Sequence, residues 1–117
     1  MARSLVIVVS SDPRTSGRPA EAIRIAAGVG AWKTVEVTLY LRGPAVLALS
    51  ESPEELVDGD HFAQYLPILG ESSRPIYVQQ GNPFLKALGQ PALDFEELAD
   101  PDLAELTAKC DYAARFW

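Results

Sequence analysis

The sequence predicts a doubly wound α/β sandwich, three layers deep, around a mostly parallel five-stranded sheet. Three observations carry that prediction. Residues Ser4–Val9 form an unbroken apolar, β-branched run, as expected of a strand covered on both faces. A polar loop, an alanine-rich stretch and a second strand-like run follow before Leu41, which makes a βαβ unit, right-handed in nearly all proteins. Strand-like and helix-like stretches then alternate to the end of the sequence.

The first loop, Ser10–Gly17, is polar, and Ser16 or Gly17 suits a helix cap with Pro19 in the first turn. Ala22, Ile23, Ile25, Ala26 and Val29 give this helix a narrow apolar face of small residues, and Gly28 and Gly30 close it. Thr34–Tyr40 alternates more cleanly than the first strand, which predicts a half-covered position nearer an edge. Arg42-Gly43-Pro44 opens a short apolar helix over Ala45–Leu49, and Ser50–Gly59 is acidic and turn-rich. Asp60 suits the cap of a helix over His61–Leu69, where Phe62, Tyr65, Leu66 and Leu69 share a face and Pro67 introduces a kink. Arg74–Gln80 reads as a buried strand with Pro75 at its start, where no ladder donor is needed. Gly81-Asn82-Pro83 is a turn, with Asn82 capping a short helix over Phe84–Leu88 that Gly89 ends. Phe95–Leu98 fits either a helical turn or a short strand. Asp100-Pro101 reads as a cap followed by proline at the first helical position, and Leu103, Leu106 and Cys110 keep helical spacing. Asp111–Trp117 reads as a closing strand.

Composition narrows the function. The 117 residues suit a single domain spanning 1–117, and 48% hydrophobic content permits a core without staples. Acidic residues outnumber basic ones 16 to 10, for a net charge of -6. That balance disfavours a nucleic-acid groove or an anionic membrane surface as partner, since both need a basic face. No apolar run approaches the roughly 20 residues of a membrane-spanning helix. Met1–Val9 lacks the pattern of a secretory signal. Cys110 is the sole cysteine and His61 the sole histidine, so no intrachain disulfide and no Cys-rich zinc site is expected, consistent with a reducing cytoplasm. No cofactor motif is present: the first loop has one glycine and no Gly-Lys-Ser/Thr, hence neither a dinucleotide fingerprint nor a P-loop.

In an open parallel sheet, ligands sit beyond the carboxyl ends of the strands where strand order reverses. Three loops meet that description: Ser10–Gly17, Leu41–Pro44 and Gln79–Asn82. The candidate ligand-binding residues are therefore Ser10, Ser11, Asp12, Arg14, Arg42, Gln79, Gln80 and Asn82. The first loop is either an anion cradle, with Arg14 and Arg18 adding charge, or an ordinary capped helix start. Gln79 and Gln80 serve equally well as ligand contacts or as partners of loop backbone. His61, beside Asp58 and Asp60, reads as a surface residue at a helix start rather than a general base. Glu54, Glu55, Asp58 and Asp60 lack the glycine and spacing of a calcium loop and read as a solvated face. Cys110 lies on the apolar side of the last helix, with Lys109 and Arg115 opposed by Asp111, and reads as a core or subunit-contact residue rather than a reactive thiol.

Several segments resemble the DsrE/DsrF-like sulfur-carrier family. They are Leu5–Ser11 with Asp12-Pro13, the alanine-rich Arg18–Gly28, Val35–Tyr40 leading into Arg42-Gly43-Pro44-Ala45-Val46, and the tail Leu103–Trp117. The resemblance spans nearly the whole chain and implies a flavodoxin-like fold and a homo-oligomer, commonly a trimer or hexamer, with Phe84, Phe116 and Trp117 suited to an interface. It also implies a persulfide-forming cysteine in the loop after the strand that matches Pro75–Gln80. Here that stretch reads Tyr77-Val78-Gln79-Gln80-Gly81-Asn82 and holds no sulfur. A carboxamide carries no persulfide. The expectation is a non-catalytic, DsrE-like binding or assembly subunit, with a protein partner in sulfur transfer. The alternatives are a persulfide carrier using Cys110 and a small-anion or nucleotide-binding module.

Overall fold

The first three strands continue the β-branched, apolar runs of the sequence, and the computed structural model describes residues 3–30, 34–71 and 76–116. Strand β1 (Arg3–Val9) leads to helix α1 (Arg18–Gly30) and strand β2 (Val35–Leu41). A 3-10 helix (Gly43–Leu49), helix α2 (Gly59–Gly70) and strand β3 (Ile76–Gln79) follow. Helix α3 (Leu85–Leu88), strand β4 (Glu96–Leu98), helix α4 (Asp100–Lys109) and strand β5 (Tyr112–Phe116) complete the chain. The expected strand start at Arg74 and Pro75, and Trp117, lie outside the described residues.

All five strands are parallel, in the order β4-β3-β2-β1-β5. This is the doubly wound, flavodoxin-like architecture. It corrects the expected place of β2, which is the central strand, between β1 and β3. The alternation at Val35–Val37 arises because the amino end of β2 projects past its covering layers, with Glu36 exposed, while Thr38–Leu41 is fully buried. Phe95–Leu98 resolves as a strand, with β4 at the sheet edge.

The connections explain the layers. From β1 through β4 the chain steps sideways in one direction, so right-handed crossovers put α1, the 3-10 helix, α2 and α3 on one face. The step from β4 to β5 runs back across three strands, which puts α4 alone on the other face. The first face is thick: Ile7, Val9, Leu39, Leu41 and Val78 pack on Ile23, Ala26, Val46, Leu49 and Phe62. The small residues of α1 let it lie close to the sheet. The second face is thin: Val6, Val8 and Tyr40 are buried, Leu103, Leu106 and Cys110 pack against them, and no residue of α4 is itself fully buried.

Helix starts differ from expectation in instructive ways. Helix α2 begins at Gly59, not His61, because Asp58 turns the chain in a left-handed conformation (φ 55°). Any side chain on Gly59 would run into the Pro53 carbonyl. Asp100 is the first residue of α4 and makes no side-chain cap; Ala99 holds the cap position. Pro67 is accommodated within α2, which continues to Gly70. No helix among the described residues is long and apolar enough to cross a membrane.

Candidate functional site: the carboxyl ends of the strands and the α4 groove

Strand order reverses between β1 and β5, because β5 returns to the far side of β1. That seam is where an open sheet forms its ligand crevice. It is closed at its rim by backbone, the Ser10 N–H donating to the Phe116 carbonyl (2.9 Å), while the Arg42 N–H donates to the Val9 carbonyl (2.8 Å) at the neighbouring β1–β2 edge. The Ser11 hydroxyl also donates to the Phe116 carbonyl (3.3 Å). Ser10 Oγ, by contrast, is buried with no hydrogen-bond partner.

The other loop residues are held by one another. Gln79 Oε1 accepts the Gly43 N–H (3.0 Å), and Asn82 Nδ2 donates to the Gly43 carbonyl (3.0 Å). Asn82 Oδ1 accepts the Phe84 N–H (2.8 Å), so Asn82 organises the entry to α3 from two residues before its cap. Gly43 (φ 56°) makes a left-handed turn at the start of the 3-10 helix, and this clamp engages both its N–H and its carbonyl. The Gln79 and Asn82 carboxamides are thus engaged in tying the loop after β3 to the loop after β2. Gln80 is exposed, and its N–H donates to the Leu98 carbonyl. Asp12 and Arg14 form a close pair (2.8 Å), with the Arg14 N–H also bonded to Asp12, and the Arg14 guanidinium lies over the Phe84 ring. The hydrogen bond from Arg14 holds the Asp12 carboxyl below its ordinary range, outweighing the opposing effect of partial burial.

Arg42 points elsewhere, onto the α4 side. It lies 3.8 Å from Asp100, and both line a groove of about 630 Å³ together with Val8, Arg115 and one side of α4, including Leu103, Ala104 and Thr107. Register places Val8, Tyr40 and Arg115 side by side on this face of the sheet. Tyr40 is fully buried, and its hydroxyl has no hydrogen-bond partner. Burial and the nearby Asp100 charge raise the Tyr40 pKa above 10.0, with Arg42 pulling the other way. Sequence reading missed Tyr40, Asp100 and Arg115 here. Tyr40 and Arg115 lay inside strand-like runs, and Asp100 had the look of a helix cap. The signal is tertiary: Tyr40 and Arg115 flank Val8 only once the three strands pair in register.

Cys110 caps the carboxyl end of α4, with its N–H bonded to the Leu106 and Thr107 carbonyls and its side chain half-buried against the small second core. The next residue, Asp111, leads into β5 and exchanges hydrogen bonds with Ser4 (2.8 and 3.0 Å). Tyr112 is level with Leu5, whereas Val78 is level with Leu41 and Val9. The thiol and the Gln79–Asn82 loop therefore lie at opposite ends of the sheet, separated along the strands by at least four residues, roughly 13 Å. His61 is half-buried rather than exposed, edge-on to Tyr65, with Nδ1 unpartnered. Among the described residues, no group of three or more His, Cys, Asp or Glu is placed to hold a metal ion.

Sheet and seam together define a doubly wound, flavodoxin-like α/β protein with its crevice at the β1–β5 switch. The crystal structure of the YchN protein from E. coli shares this architecture. It aligns with a TM-score of 0.77 and 23% identity over 99% of this chain and 100% of that one, which is a likeness of fold. No protein-family model and no curated protein matches the chain.

Proposed function

We propose that the chain is a non-catalytic, DsrE-like binding or assembly subunit related to the sulfur-relay proteins and working in the cytoplasm. One observation carries this reading: the only thiol is at the amino end of the sheet, while the loop that would hold a relay cysteine presents Gln79, Gln80 and Asn82. A persulfide must be formed and passed on at an accessible, electropositive loop. Here the nearest cation in sequence, Lys109, is bonded to Glu105 (3.0 Å). The shared fold with YchN supports the relationship. Of the loop residues, Ser10 and Arg42 are the ones that contact a ligand, while Ser11, Asp12, Arg14, Gln79 and Asn82 shape the rim and Gln80 faces outward. The thin α4 layer, with Ala113 and Arg115 exposed beside it, supports a homo-oligomer, trimer or hexamer, and a docked protein partner.

The test is exposure to a polysulfide donor followed by mass analysis and an acceptor thiol. The expected outcome is no transferable sulfur on Cys110. Stable added sulfur on Cys110 that passes to the acceptor overturns the reading in favour of a persulfide carrier.

A further inference from the structure

We propose that the groove between α4 and the β1–β5 seam is a binding site for a small organic anion, an oxyanion head on an apolar body. The head sits between Arg42 and Arg115 and accepts the Tyr40 hydroxyl. The body lies along Val8, Leu103 and Ala104. This goes beyond the preceding reading and does not depend on the fate of Cys110.

Four independent observations converge on the groove. Its volume of about 630 Å³ falls in the range of small-molecule sites. It lies at the reversal of strand order, where this architecture forms its crevice. Two arginines line it in a protein whose net charge is -6, so the local sign is opposite to the global one. Finally, Tyr40 is 0% exposed, its hydroxyl is unpartnered, and it stands next to Val8 within the field of Arg42 and Asp100. Buried hydroxyls are satisfied in folded proteins, and a donor left over near Arg42 matches an acceptor that arrives with a ligand.

Asp100 fits the same picture. It contacts Arg42 at 3.8 Å with both side chains well exposed (40% and 64%), a loose pair of the kind that contributes little. An oxyanion offering two acceptors makes the shorter, bidentate contact to a guanidinium. Asp100 is then a competitor that the ligand displaces. Thr107 is not a head contact, because its hydroxyl donates to the Leu103 carbonyl (2.9 Å). The apolar stripe of α4 instead selects an organic ester or acid over a bare inorganic ion.

The experiment is calorimetric titration of the full chain with phenyl phosphate, phenylacetate, inorganic phosphate and benzyl alcohol. Saturable one-to-one binding of phenyl phosphate or phenylacetate is expected. Whichever of the two binds more tightly identifies the head as phosphate or carboxylate. Inorganic phosphate should bind more weakly and benzyl alcohol not at all. Tyr40→Phe and Arg42→Gln should each weaken the better probe about tenfold, the scale of one hydrogen bond to a charged group. Asp100→Asn should tighten it several-fold, an effect that a purely structural role for Asp100 does not produce. Absence of saturation with both anions, equal binding of benzyl alcohol, or unchanged affinity in Tyr40→Phe and Asp100→Asn overturns the proposal.

Discussion

Tyr40 shows how one side chain links folding to the crevice. It is among the largest fully buried side chains, and its ring fills the thin second core beside Val6 and Val8. Its hydroxyl adds no hydrogen bond, so its removal costs the fold nothing it now has. Its pKa is raised above 10.0, first by burial and then by Asp100. A raised folded-state pKa contributes stability that is fully present below the unfolded value and is lost as pH rises through the folded one. The unfolded chain gives up this proton at about pH 10. Stability against urea is therefore expected to fall above pH 10, and Tyr40→Phe should flatten that fall while leaving the midpoint at pH 7 unchanged or higher. Equal pH profiles for the two proteins would remove Tyr40 as the cause. Asp12 has the opposite sign: its lowered pKa contributes stability present above the unfolded value of 3.8 and lost as pH falls through the lower folded one.

At the scale of elements, the loops after β2 and β3 behave as one unit. Asn82 is 5% exposed and bonds both Gly43 and Phe84, so one side chain fixes two turns. Asn82→Ala removes two part-buried hydrogen bonds, to the Gly43 carbonyl and the Phe84 N–H, and is expected to cost about 1–3 kcal/mol in urea unfolding. A loss below about 0.5 kcal/mol, the level of ordinary surface changes, would show that the clamp is dispensable. The elements themselves were largely legible. Pro19 and the closing glycines placed α1, Asp100-Pro101 placed the start of α4, and Gly89 (φ 66°) ended α3 as its position implied. Local chemistry was less legible. Asp58, not Asp60, turns the chain into α2, because that turn is set by the packing of Gly59 against Pro53. Asp100 looks like a cap in one dimension and becomes the partner of Arg42, 58 residues earlier, only when β4 and β2 are brought into one sheet.

At the scale of the molecule, the two faces of the sheet carry unequal cover. The first buries most of the core against three helices and the 3-10 segment, while the second relies on a ten-residue helix with no fully buried residue. Local opening follows burial. Native-state hydrogen exchange should therefore find the amides of Val6–Val9 and Leu39–Leu41 slowest, and those of α4 faster by orders of magnitude. Equal protection in α4 and β1 would overturn the inference that thin cover sets local opening. The sequence by itself determined the architecture: β-branched runs, helical spacing, capping prolines and a right-handed βαβ unit are local signals, and they sum to a parallel layered sandwich. It also determined that the loop after β3 has no sulfur. Only the tertiary structure decided that β2 is central, that Cys110 lies at the far end of the sheet from that loop, and that Arg42, Asp100 and Arg115 share one groove, with the buried Tyr40 next to its lining residue Val8. The reason is physical. Strand order and register depend on pairings between distant segments, and a side chain's neighbours across a sheet leave no trace in the residues beside it along the chain.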